Sequence, residues 1–186
     1  MSYLLNQHAG ATSIDIGVIP FLKDICGVKT LLDIGCGPGG NVEYCRSLAI
    51  EAYGIDGDDT TLPSKSYFVH ADYRRGPSSF CGPFDIGWSV EFAEHIPEEY
   101  TPNFFADFKK CRTVIFTAAP PGWGGIGHLN EQDEQYWIGK FTDNGFAFDP
   151  LLTHVVRHIS NLTFKGEIRR PKKQFVKNRG LVFRLL

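Results

Sequence analysis

The stretch Leu31–Gly40, "LLDIGCGPGG", decides the fold. An apolar run ends in a glycine-dense turn, and "GNVEYCRSLAI" follows, with Val42, Cys45, Leu48 and Ala49 on one helical face. Strand, glycine turn and helix in that order predict the opening unit of a parallel α/β sheet. Gly35, Gly37 and Gly40 also spell the G-x-G-x-x-G of a turn that cradles a pyrophosphate. Yet Asp33 stands two residues before the first glycine, where a phosphate would meet like charge.

Outward from this unit the chain alternates short apolar runs with helical patterns. "EAYGID", "YFVHAD", "FDIGWSV" and "RTVIFTAAP" read as the next four strands, "FAFD" as a sixth and "GLVFRLL" as the last. Pro97 suits the start of a helix, Pro102 interrupts or restarts it, and Phe104, Phe105 and Phe108 supply its inner face. Asn130 and Asp133 are placed as cap and first-turn partner for "EQDEQYWIGKFTDN", which Gly145 ends. "LLTHVVRHI" reads as a helix, and Ser13–Cys26 as a leading helix; Asn161–Arg179 carries no clear pattern. Such alternation implies a mostly parallel sheet covered on both faces.

The 186 residues suit one domain, and 42% hydrophobic with 22% charged residues is ordinary for a globular protein. A net charge of -2 gives no field for nucleic acid or an anionic membrane, and no apolar run spans a bilayer. The N-terminal "MSYLLNQHAG" lacks the layout of a signal peptide. The five cysteines include no C-x-x-C pair and no zinc spacing. Free thiols, no metal site and a cytoplasmic location are the expectations.

In open α/β sheets ligands bind outside the carboxyl ends of the strands. There the sequence places Asp33 and Gly35, then Asp56, then Asp72, then Ser89 with Glu91. Any one of these is explained as a turn former; four successive strand ends describe a site. A nicotinamide dinucleotide would bring a pyrophosphate to Asp33, whereas S-adenosylmethionine brings an ammonium and a sulfonium. Asp56, about 20 residues past the glycines, suits ribose hydroxyls in either case. Asp72 suits the adenine amino group. The acid ahead of the glycines favours the sulfonium cofactor.

The same residues resemble the motifs of class I S-adenosylmethionine-dependent methyltransferases of the small-molecule type. Asp33, Gly35, Gly37 and Gly39 complete D-x-G-x-G-x-G, with Cys36 a small packing residue inside the turn. "YGIDGDD" is similar to the second-strand motif with Asp56 and Gly57, and "HADY" to the adenine motif with Asp72 and Tyr73. "FDIGWSVEFAEHIPEEY" is similar to the fourth-strand motif, placing Ser89, Val90 and Glu91 at the cofactor. The resemblance implies a Rossmann-like three-layer sandwich with seven strands, the last antiparallel. It further implies one methyltransferase domain over 1–186, with a lid region at 1–28 and an acceptor-side loop at 121–132.

The acceptor is expected to be a small molecule, with a hydroxyl of a sugar or metabolite preferred. In "PPGWGGIGHLNEQ", Trp123 can stack on a flat or sugar-like acceptor and His128 can take a hydroxyl proton. His95 is the second base candidate, and Trp88 and Trp137 read as core or interface rather than ligand contacts. The place of an N/D-P-P-Y/F motif holds "SVEFAEH", which disfavours nucleobase methylation. A basic run from Lys165 through Arg169, Arg170, Lys172, Lys173 and Lys177 to Arg179 reads as a solvated surface, with anion binding its alternative. Two further readings stand beside these: a nicotinamide-dependent oxidoreductase, and an inactive binding module of the same fold.

Overall fold

The computed structural model describes residues 12–186; the first eleven positions of the expected lid region lie outside the described residues. The chain runs through β1 (Ser13–Asp15), α1 (Val18–Asp24), β2 (Thr30–Ile34), α2 (Gly40–Ser47), β3 (Glu51–Asp56), β4 (Phe68–His70) and β5 (Phe84–Val90). It continues through α3 (Thr101–Phe108), β6 (Cys111–Thr117), α4 (Glu134–Asp143), β7 (Phe146–Phe148) and α5 (Pro150–Ile159). It ends in β8 (Leu162–Phe164), β9 (Glu167–Ile168), α6 (Phe175–Arg179) and β10 (Leu181–Leu185).

Seven strands form the main sheet in the order β4-β3-β2-β5-β6-β10-β7. β2 pairs in parallel with β3 and β5, while β10 lies antiparallel between β6 and β7. The expected sheet, with its last strand inserted antiparallel, is the one observed. The chain builds outward from β2 to β4, then returns to place β5 on the other side of β2. That reversal opens a crevice at the carboxyl ends of β2 and β5.

The period-two alternation of the strands sorts the core into two layers. Leu31, Trp88, Ile115 and Val182 pack with Val18, Val42, Val156 and Val176 from α1, α2, α5 and α6. Leu32, Val114, Phe116 and Phe183 face the opposite way, against Phe104, Phe105 and Phe108 of α3 and Trp137 and Phe141 of α4. Phe141 and Phe183 stack with ring centroids 3.8 Å apart. Each such side chain stabilises the fold by about 1.5–3 kcal/mol of burial.

Four local expectations are corrected. The leading helix is a strand and then a helix, because Asp15 Oδ1 accepts the N–H groups of Gly17 and Val18 at 3.0 and 2.9 Å and starts α1 only there. α2 stops at Ser47, leaving Ala49 exposed with φ +58°. Asp133, not Asn130, caps α4, its Oδ1 accepting the Tyr136 N–H at 2.8 Å. The unpatterned tail contributes β8, which pairs with β1 and β9 in a separate three-stranded sheet. Asp15 ties that sheet to the end of α5 by accepting from Ser160 Oγ at 2.6 Å and from the Asn161 N–H at 3.1 Å.

Candidate functional site

The glycine turn between β2 and α2 is built from left-handed residues, with φ +80° at Gly35, +51° at Gly37 and +78° at Gly39. Only glycine adopts these angles at little cost. Space is equally restrictive: a Cβ on Gly35 would fall 2.3 Å from the Phe92 ring, and one on Gly39 would fall 2.4 Å from Phe68. The loop after β5 therefore presses directly on the turn.

Asp33 closes β2 just beneath it. The residue is 2% exposed, and its Oδ2 has no hydrogen-bond partner among the described residues. Burial, aided by the charge of Asp56, holds its carboxyl well above the usual range. Asp56 Oδ2 accepts the Gly37 N–H at 2.7 Å, and Oδ1 accepts the Asp58 N–H at 2.9 Å. Gly57 is exposed beside it. Cys36 is buried, its thiol pushed well up by burial and by Asp33 and Asp56, in keeping with a packing role.

The remaining predicted cofactor residues differ in how their side chains are committed. Asp72 sits in the fork of Arg74, with Nε 2.8 Å and Nη2 2.7 Å from its two oxygens; that bonding holds its carboxyl below the ordinary value. Tyr73 lies beside it in sequence but points into the core, donating to the buried Asp107 at 2.8 Å. Only its backbone stays at the strand end. Ser89 is fully buried, and its hydroxyl donates to the Ile34 carbonyl at 2.9 Å, fastening β5 to β2. Val90 is half-buried. Glu91 has φ +56°, accepts the Thr117 hydroxyl at 2.7 Å and pairs with Arg179.

The two histidines singled out in the sequence come together. His95 lies in a short 3-10 turn after β5 and His128 in the loop before α4, with ring centroids 4.9 Å apart. His95 Nδ1 is 3.1 Å from the Gly127 carbonyl, and His128 Nδ1 is 2.6 Å from Glu131 Oε1. Glu131 also accepts the N–H groups of Gly122 and Gly124 at 2.9 and 2.8 Å, which folds the glycine-rich loop around His128. The His128 bond, followed by these N–H groups, keeps the Glu131 carboxyl low.

Glu94 completes the group, and residue-by-residue reading passed over it. It is fully buried, and neither carboxylate oxygen has a hydrogen-bond partner among the described residues. Burial first, then the neighbouring Glu91, raises its carboxyl to about 8. Its own carbonyl accepts the N–H groups of Leu129 and Asn130 at 2.7 and 3.0 Å, docking the His128 loop over the end of β5. The signal in the sequence was an acid next to a histidine just past a strand end.

Trp123 and Arg179 were missed as a pair. The Arg179 guanidinium lies 4.3 Å from the centre of the Trp123 ring, so the last residue of the basic run is drawn into the site wall. A cavity of about 280 Å³ opens there, lined by Trp123, Gln132, Trp137, Asn178 and Arg179 among others. Of the two readings open for Trp88 and Trp137, core or interface, the structure shows core.

No protein-family model matches the chain. It is similar to the ubiquinone biosynthesis O-methyltransferase of Paraburkholderia xenovorans, 30% identical over 118 residues that take in 58% of this chain. The chain spans about half the length of that relative, 47%. Among solved structures, magnesium protoporphyrin IX methyltransferase from Synechocystis, with S-adenosylmethionine bound, matches with a TM-score of 0.61 at 16% identity, over 91% of this chain and 76% of that one. A methyltransferase from Archaeoglobus fulgidus matches with a TM-score of 0.52 at 20% identity, over 69% of this chain and 67% of that one. The chain has the fold of the class I S-adenosylmethionine-dependent methyltransferases.

Proposed function

We infer that this protein transfers the methyl group of S-adenosylmethionine to a hydroxyl oxygen of a small-molecule acceptor. The observation that carries the reading is Asp33: a buried carboxylate with an unpartnered oxygen at the mouth of the glycine turn. A charge taken out of water needs an opposite charge beside it. The ammonium of a methionine derivative supplies one, and a pyrophosphate does the opposite. Asp56 stands where ribose hydroxyls would lie, and Asp72 keeps acceptor sites beyond its bonds to Arg74 for an adenine amino group.

The cofactor supplies an activated methyl, whose bond to sulfur breaks with its electron pair going to the sulfur. The chain's task is alignment, worth effective molarities on the order of 10⁵–10⁸ M, and removal of the acceptor proton. The glycine turn holds the donor side. The loop over 121–132, with Trp123 and the cavity beside it, is the acceptor side in this reading. The Glu94–His95–His128 group takes the hydroxyl proton, with His128 the first candidate and His95 the second. The alternative nicotinamide reading leaves Asp33 facing phosphate, so we set it aside.

The reading treats 1–186 as one working domain. It places the protein in the cytoplasm, in line with five free cysteines. No helix among the described residues is long and apolar enough to cross a membrane. Nucleic acid is not the expected acceptor. Arg169, near the middle of the basic run, lies over Phe164 and Phe175, and Arg179 is spent on Glu91.

Calorimetry with adenosylhomocysteine and with NADH tests the proposal. Stoichiometric binding of the first and none of the second is expected. Binding of the dinucleotide with no heat from adenosylhomocysteine would overturn it. Turnover with an acceptor panel then separates an enzyme from a binding module.

A further inference from the structure

We propose that Glu94, His95 and His128 bind one divalent cation of the manganese, cobalt and zinc class, placed to hold the acceptor oxygen. The three side chains each offer a ligand atom, and these atoms lie within 4.8 Å of one another. The expectation of no metal site came from the cysteines and their spacing. This site uses none.

Three features distinguish the group from an ordinary polar contact. First, Glu94 is fully buried with two unpartnered oxygens, a placement that is costly unless a cation or donor meets it. Second, both imidazoles are oriented through Nδ1, one by the Gly127 carbonyl and one by the Glu131 carboxylate. An Nδ1–H donated to a carbonyl or carboxylate fixes the tautomer whose Nε2 carries the lone pair, the arrangement that metal-ligating histidines adopt. Third, Glu131 is itself held by two backbone N–H groups, so His128 has a rigid support behind it.

The donor set selects the ion. Two imidazoles with one carboxylate suit first-row transition metals and leave coordination positions open, whereas magnesium and calcium prefer oxygen alone.

The location gives the cation its task. The group follows β5 at the crevice, and Phe92, two residues before Glu94, packs against Gly35 of the turn. A hydroxyl bound to the cation loses its proton near neutral pH. That proton passes to solvent water while the oxygen forms its bond to carbon and the carbon–sulfur bond breaks toward sulfur. Nothing is oxidised or reduced. In the loaded protein the two imidazoles serve as ligands, and the cation does the work of a base. The acceptor half of this inference rests on the methyl-transfer reading; the metal half does not.

The test is titration of chelator-stripped protein with Co²⁺, followed by visible absorption, and with Mn²⁺, followed by electron paramagnetic resonance. One ion per chain is expected, with binding abolished in Glu94→Gln and in His128→Asn. Glu131→Gln, which removes the charge behind His128 and one acceptor for the loop N–H groups, should weaken binding by about 10–100-fold. Adenosylhomocysteine binding, measured on the same variants, should be unchanged and reports that each has folded. Failure of either ion to bind, or binding equal in wild type and both ligand variants, would overturn the site. Loss of adenosylhomocysteine binding by the wild type, with ion binding intact, would instead overturn the methyl-transfer reading alone.

Discussion

Asp56 Oδ2 accepts the Gly37 N–H at 2.7 Å, so the end of β3 reaches across to hold the glycine turn. One carboxylate thereby shapes the turn and faces the position proposed for ribose. Asp56→Ala should lose both contributions. A hydrogen bond to a charged group contributes about 1.5–3 kcal/mol, so adenosylhomocysteine affinity should fall by about 10–100-fold. Calorimetry checks this, and unaltered affinity would contradict the ribose assignment.

Asp33 has a raised carboxyl, and the sign of its pH effect follows. Its contribution to stability is fully present below the unfolded pKa and is lost as pH rises through the elevated folded one. Asp33→Asn should therefore gain on the wild type as pH rises, by about 1–3 kcal/mol at alkaline pH. In a protein of this size that is about 2–4 °C in Tm for each kcal/mol. The same variant should bind adenosylhomocysteine at least about tenfold more weakly, since its amide offers no charge to the ammonium. Parallel Tm and calorimetry series across pH read both effects.

Gly39 combines φ +78° with the Phe68 ring 2.4 Å from where a Cβ would lie. Gly39→Ala should cost about 1–3 kcal/mol through strain and overpacking. Denaturant melts give the stability change. Cofactor affinity should fall with it, because the turn must shift to admit the methyl group.

His128→Ala should reduce turnover by about 10²–10⁴-fold, the range for loss of a group that moves the acceptor proton itself or holds the cation that does so. Adenosylhomocysteine affinity should remain nearly intact, since the contacts that orient His128 are with Glu131 and its own loop. Unchanged turnover with the true acceptor would remove His128 from the mechanism.

Asp107 is fully buried, accepting from Tyr73, from the Ser78 N–H and hydroxyl, and from Lys110. Asp107→Ala would strand those donors. A loss of about 3–5 kcal/mol is expected, visible in chemical denaturation, and the turn carrying Asp72 should loosen with it.

The sequence by itself determined the sheet and the glycine turn with the acids beside it. Both are written in local pattern: apolar runs of strand length, glycines where φ must be positive, and acids at strand ends. Asp33, Gly35, Gly37, Gly39 and Asp56 are read this way because each residue's placement depends on neighbours a few positions off. β1, β8 and β9 escaped because strands of two or three residues have too few positions to show a period. Tertiary structure alone decided the Glu94–His95–His128 group. Glu94 and His128 are separated by 33 intervening residues in sequence, and they meet because the Leu129 and Asn130 N–H groups bond to the Glu94 carbonyl. Tyr73 was likewise turned from the crevice by a buried partner on α3. Burial and long-range hydrogen bonding set these placements, and neither leaves a periodic trace along the chain.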